Sequence, residues 1–129
     1  VEAADQLVGQ MNNYFPKGDF NARAVHRNIF DIGKILEILV GIRKPRVVFM
    51  FQVVDALESF RKDYSKEIIL EISKKSEIIV ISLPTISIGG RRGFVVSRKW
   101  LIDFLKKHFD VLKDIKIGYE RVIVLKTNA

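Results

Sequence analysis

The sequence predicts an α/β fold: a mostly parallel sheet, covered by helices on both faces, that ends in an antiparallel hairpin. Three observations carry this reading. The runs Val47-Val48-Phe49-Met50-Phe51 and Glu77-Ile78-Ile79-Val80-Ile81-Ser82-Leu83 are short, apolar and β-prone, as strands buried on both faces of a parallel sheet are. Segments of helical period stand around and between them. The tail alternates apolar and polar residues on both sides of Gly118-Tyr119, which reads as two strands, about 111–117 and 120–127, with a tight connection.

From Ala4 to Phe15, Leu7, Met11 and Tyr14 recur on one helical face, and Pro16-Lys17-Gly18-Asp19 is expected to break the helix. Phe20 to His26 alternates weakly and reads as a short strand. Asp31 and Ile32 lead into a helix striped by Ile35, Leu36, Ile38, Leu39 and Ile42, and Gly41 and Pro45 bracket the next boundary. After the first apolar run, Asp55 is placed to cap a helix carrying Leu57, Phe60 and Tyr64. Ser65 is placed to cap another, with Glu67 in its first turn and Ile68, Ile69 and Ile72 buried. Pro84 to Gly93 is a polar, glycine-bearing loop. Ser97 begins a helix whose Trp100, Leu101, Phe104 and Leu105 form an apolar face, with Trp100 read as core. In such sheets ligands lie outside the carboxyl ends of the strands, which points to Glu2 and its neighbours, Gln52 onward and the 82–93 loop.

The 129 residues suffice for one compact domain, and 48% of them are hydrophobic. No window approaches the roughly 20 apolar residues of a membrane-spanning helix. No signal-peptide pattern stands at the start, and a cytoplasmic location is expected. Cysteine is absent, which excludes disulfides, thiolate metal sites and a cysteine nucleophile. The two histidines, His26 and His108, are too few and too separated for a histidine metal site. A net charge of +7 favours a polyanionic partner, since neutralising phosphates releases condensed counterions, although a merely basic surface carries the same charge. Lys74-Lys75, Arg98-Lys99 and Lys106-Lys107 read mostly as solvated helix faces. The first residue is Val, which implies a processed, truncated or proteolysed product, or a piece begun inside a longer gene.

The most informative stretch is Ser82-Leu83-Pro84-Thr85-Ile86-Ser87-Ile88-Gly89-Gly90-Arg91-Arg92-Gly93. Its glycines let the backbone approach a ligand, its hydroxyls donate, and its arginines offer forked donors suited to phosphate or a guanine edge. An ordinary surface turn has the same composition. The string resembles the Ser-Phe-Pro-Thr-Arg-Ser-Leu-Gly-Gly-Arg-x-x-Gly-Met signature of the aminoglycoside-resistance type of 16S ribosomal RNA (guanine-N7) methyltransferases. Ser82, Pro84, Thr85, Ser87, Gly89, Gly90 and Arg91 match it, and Gly93-Phe94 stands near its Gly-Met with one fewer residue between. The 49–58 segment is similar to that family's fourth strand and the 114–126 segment to its final hairpin. The sequence departs at Ile86, where the family has a basic residue, and at Gln52, where it has Lys. Val95, Val96, Ser97 and Arg98 also stand where an aromatic and an acidic residue follow in the family.

The resemblance implies part of a Rossmann-like methyltransferase fold that uses S-adenosylmethionine. Residues 1–129 would be the C-terminal portion of one domain, lacking the first strand, its glycine-rich turn and an N-terminal helical domain. It puts Glu2 at the end of the second strand, where a carboxylate accepts both hydroxyl protons of the cofactor ribose. It puts Asn28 and Ile29 beside the adenine and Gln52 beside the cofactor at the end of strand four. Ser87, Gly89, Gly90, Arg91 and Arg92 would orient the target nucleotide of small-subunit rRNA. Neither a metal nor a membrane is implied. A guanine ring nitrogen already carries an in-plane lone pair, so catalysis is mainly positioning and electrostatics and needs no catalytic dyad. A non-catalytic α/β module binding RNA or protein, and a small-molecule methyltransferase, remain open alternatives.

Overall fold

The computed structural model describes residues 1–86 and 98–129. The chain forms two compact units, Val1–Gly41 and Ile42–Ala129.

The first unit holds helices α1 (Asp5–Lys17) and α2 (Ile32–Val40) and one parallel bridge between Glu2 and His26. The Glu2 amide donates to the Val25 carbonyl at 2.9 Å, and the Arg27 amide to the Glu2 carbonyl at 3.0 Å. The strand expected over 20–26 is reduced to this bridge. The Asn12 amide takes both backbone groups of Ala24, at 2.7 and 2.9 Å, so a neighbouring strand has nothing to pair with there. Helix α1 runs through Pro16 to Lys17 instead of ending before the proline. Pro16 falls in the last turn, where its missing N–H forfeits one bond, and the Gly18 amide closes the helix on the Tyr14 carbonyl at 3.1 Å. Phe20 then folds back to stack on Tyr14, ring centroids 5.9 Å apart.

The second unit contains β1 (Val47–Phe51), α3 (Val54–Phe60), α4 (Tyr64–Ser73), β2 (Ile78–Pro84), α5 (Lys99–His108), β3 (Asp110–Ile117) and β4 (Glu120–Lys126). The strands lie in the order β1-β2-β4-β3. As expected, the two apolar runs are neighbours: β1 and β2 pair in parallel, with Val47 opposite Ile78 and Phe51 opposite Ser82. The closing hairpin also forms where expected, and β4 is antiparallel to both β2 and β3. Gly118, at φ +58, supplies the left-handed residue that the two-residue connection needs.

One face of this sheet is core. Met50, Ile79, Ile81, Leu83, Ile123 and Leu125 are buried on it, as are Leu57, Ile68, Ile69, Leu101 and Leu105 of the helices. On the other face the two edge strands are exposed. Val47, Phe49 and Phe51 are 48%, 61% and 58% exposed, and Ile115 and Ile117 continue the apolar surface across β3. The expectation of burial on both faces therefore fails for β1, whereas β2 keeps Val80 half-buried and Ser82 buried on that side. Alternation along β1 sends Val48 and Met50 inward and its other three residues outward.

Three local expectations are also corrected. Asp55 lies in the first turn of α3 but makes no cap, because its carboxylate is drawn to Arg98. Ser65 is inside α4, whose N-cap is Asp63, and its hydroxyl donates to Glu58. Trp100, read as core, is 37% exposed with the Lys66 ammonium 5.5 Å from its ring centre, while the adjacent Leu101 is fully buried. Helix α5 begins at Lys99, and Ser97 lies outside the described residues. No helix among the described residues is long and apolar enough to cross a membrane.

Candidate functional site

In the first unit the parallel bridge fixes the Glu2 backbone beside His26. The Glu2 Oε1 atom accepts the Ala4 amide at 2.9 Å, near the start of α1, so one carboxylate oxygen is already engaged locally. The second oxygen has no partner among the described residues. His26, read as structural or solvated, has its Nε2 at 2.9 Å from the Ala3 carbonyl and its Nδ1 at 3.6 Å from Asp5. Asn28 turns its Oδ1 back to accept the Phe30 amide at 3.0 Å, and its carbonyl accepts the Asp31 amide at 2.9 Å. This is the turn-capping geometry typical of Asn. It commits one lone pair of Oδ1 and leaves the side-chain NH2 for other partners. Ile29 is half-buried.

In the second unit the residues that converge lie at the carboxyl ends of β1 and β2. Gln52 follows β1 directly, and its amide donates to the Ser82 carbonyl at 3.1 Å. Its φ is +55, a left-handed conformation unusual for a residue other than glycine. Such strain persists only where its surroundings hold it, and it clusters at functional sites. Here one holding contact is visible, since the Gln52 Nε2 donates to the Glu120 Oε1. Phe51, Gln52, Ser82, Glu120 and Val122 line a shallow depression of about 430 Å³. Ser82 is 2% exposed, and its hydroxyl has no hydrogen-bond partner among the described residues. A buried hydroxyl left unmade costs about 1–3 kcal/mol, which makes it a position where a ligand atom is favoured.

A second depression, about 380 Å³, is lined by Pro84, Thr85, Arg98, Asp114, Ile115, Lys116 and Arg121. Its strongest charges are already committed. Arg121 holds Asp114 through two bonds of 2.7 and 2.6 Å, and that hydrogen bonding lowers the Asp114 carboxyl pKa. Arg98 was read as part of a solvated face. It is instead 8% exposed, with both terminal nitrogens on Asp55 and one also on the Pro84 carbonyl at 3.2 Å. Lys74 and Lys99 do lie on exposed helix faces, paired with Glu71 and Asp103.

Thr85 fastens the loop's start, with its amide and hydroxyl both donating to the Tyr119 carbonyl at 2.8 and 2.9 Å. Ser87, Gly89, Gly90, Arg91 and Arg92 lie outside the described residues. Sequence reasoning pointed to Ser82 through the 82–93 string and missed Glu120 as a lining residue.

No protein-family model and no curated protein matches the chain. Solved structures do. An rRNA methylase from Escherichia coli superposes with a TM-score of 0.64 at 12% identity, over 95% of this chain and 45% of that one. The 16S rRNA methyltransferase RmtF, in complex with S-adenosyl-L-homocysteine, gives 0.68 at 16%, over 94% and 44%. The 16S rRNA methylase ArmA gives 0.61 at 18%, over 95% and 58%. These likenesses show a shared fold, and it is the fold of the proteins that the 82–93 string resembles. The chain spans about half the length of the structures it matches.

Proposed function

We propose that this chain is the C-terminal portion of the catalytic domain of a cytoplasmic, S-adenosylmethionine-dependent methyltransferase acting on ribosomal RNA, with a guanine of the small subunit as target. The observation that carries this is the shared fold with 16S rRNA methylases over nearly the whole chain, together with the 82–93 string, whose first residues end β2. The complex of one of these structures with S-adenosyl-L-homocysteine, the cofactor's product, supports the choice of cofactor.

The exposed apolar residues of β1 support the reading of a partial domain. A strand paired in parallel is normally buried on both sides, and an exposed apolar face of this kind marks an interaction surface. The first strand, its glycine-rich turn and the preceding helices would extend the β1 edge and cover Val47 and Phe49.

Within each unit, the residues expected at the cofactor keep groups suited to it. Glu2 keeps one carboxylate oxygen for the ribose hydroxyls. Asn28 offers its NH2 to a ring nitrogen of adenine, its oxygen being held by Phe30, and Ile29 offers an apolar surface. Gln52 keeps its side-chain oxygen at the strand end. When bound, S-adenosylmethionine would supply an electrophilic methyl group carried on a sulfonium. No proton leaves the guanine ring nitrogen, so this chain's task is to bind and orient rather than to act as a base. The loop residues Ser87, Gly89, Gly90, Arg91 and Arg92 orient the target nucleotide, the arginines by their fork geometry.

Calorimetric titration with S-adenosylmethionine tests the reading. The full-length protein is expected to bind and the 129-residue chain to bind weakly or undetectably. Equal micromolar binding by both contradicts the partial-domain account, and no binding by either removes the cofactor.

A further inference from the structure

Resting on the rRNA methyltransferase reading, we infer that Glu120, Gln52 and Ser82 form a base-reading site that accepts guanine by its Watson–Crick edge. The three side chains come from the three strands β4, β1 and β2 at one end of the sheet, and they line one depression. Two observations independent of each other mark it as a ligand site. The Ser82 hydroxyl is buried without a partner among the described residues. Gln52 is held in a left-handed conformation that brings its side-chain amide to Glu120.

The donor and acceptor pattern selects the base. Guanine presents two adjacent donors, N1–H and N2–H, and one acceptor, O6, on its Watson–Crick edge. A carboxylate is acceptor-only and has lone pairs to spare beyond the one used by Gln52. Glu120 thus matches the two guanine donors. The remaining N–H of Gln52 and the hydroxyl of Ser82 are donors that match O6. Adenine and cytosine each put a ring-nitrogen lone pair where guanine has N1–H, which a carboxylate repels. Uracil offers one N–H flanked by two carbonyls. Reading that edge also leaves the opposite edge, with N7, uncovered. The site accordingly specifies both the base and the ring nitrogen exposed for methylation. An enzyme acting on a base inside folded RNA takes it out of the stack and reads its Watson–Crick edge in a pocket, and Phe51 and Val122 give this depression apolar walls.

The test uses the full-length protein, small ribosomal subunits and S-adenosylmethionine labelled in the methyl group, followed by nucleoside analysis. Wild type is expected to yield 7-methylguanosine. Glu120→Gln keeps the shape but presents an N–H to guanine's donors. It is expected to lower the methylation rate by about 5- to 150-fold, the range for a good bidentate base contact. Its melting temperature and cofactor affinity should match wild type, and Glu120→Asp should recover part of the rate. A role in base reading has one further signature. Subunits rebuilt with inosine at the located nucleotide lack N2–H, so the wild-type rate falls about fivefold or more, whereas Glu120→Gln treats inosine and guanosine alike. Glu120→Gln methylating within about twofold of wild type overturns the inference, as would an inosine penalty undiminished in the variant. A methylated adenosine or cytidine in place of guanosine overturns it too, while leaving the methyltransferase reading intact. Absence of both methyl transfer and cofactor binding in wild type overturns the two together.

Discussion

The ion pair between Arg98 and Asp55 is expected to respond asymmetrically to mutation, because its two members are buried to different degrees. The Arg98 side chain is 7% exposed and that of Asp55 is 51% exposed. Removing the carboxylate by Asp55→Ala strands a guanidinium in the interior. Its only remaining acceptor among the described residues is the Pro84 carbonyl at 3.2 Å, and its Nε already lacks a partner there. Stranding a buried charge in this way costs about 3–5 kcal/mol. Arg98→Met removes the charge and keeps most of the packing volume. The half-exposed Asp55 carboxylate then returns to water, so the cost is the lost pair alone, about 1–2 kcal/mol. The double variant should resemble Arg98→Met, giving a coupling of about 2 kcal/mol or more in a double-mutant cycle. Urea unfolding of the four proteins at neutral pH, compared through their midpoints at common slope, measures these differences. If Arg98→Met proves more destabilising than Asp55→Ala, burial does not govern the pair and the reasoning fails.

Two further outcomes are expected. Asp114 has its carboxyl pKa lowered chiefly by the Arg121 hydrogen bonds. A lowered folded-state pKa means that its contribution is present above the ordinary Asp value, about 3.9, and is lost as pH falls through the folded value. Asp114→Asn should therefore cost about 1 kcal/mol at pH 7 and flatten the fall in stability below pH 5, read from melting temperatures across pH; an unchanged acid limb would deny the carboxylate this role. Arg91→Ala combined with Arg92→Ala, in the full-length protein, should leave stability within about 0.5 kcal/mol of wild type and cofactor affinity unchanged. The same variant should cut rRNA methylation sharply and lower the salt slope of RNA binding by about one per arginine that contacts phosphate, while methylation at the wild-type level would make the loop an ordinary turn.

What the sequence disclosed follows from what periodicity encodes. The runs at 47–51 and 77–83 became β1 and β2 almost residue for residue, and the tail became β3 and β4, because strand composition and a Gly-bearing connection are local properties. Periodicity does not say which partner covers a face. Phe49 and Phe51 therefore read as buried and stand exposed. Nor does it weigh a local role against a distant one. Asp55 is well placed to cap α3, yet a guanidinium 43 residues away outcompetes the helix N–H groups for its carboxylate. Asn12 similarly uses its amide on Ala24, and the strand expected there shrinks to a bridge. At the candidate site, Gln52 was legible because it ends a strand. Glu120 was not, because its proximity to Gln52 depends on β4 lying beside β2 rather than on anything in its own neighbourhood.

Methyl transfer to ribosomal RNA can be measured directly. The full-length protein is incubated with small ribosomal subunits and S-adenosylmethionine carrying a labelled methyl group, and the RNA is then separated, digested and resolved into nucleosides. Label is expected in the RNA, confined to a single guanosine methylated at N7. Stable retention on the subunit and binding of the cofactor without label in any nucleoside would contradict it and leave a non-catalytic RNA-binding protein on a methyltransferase fold.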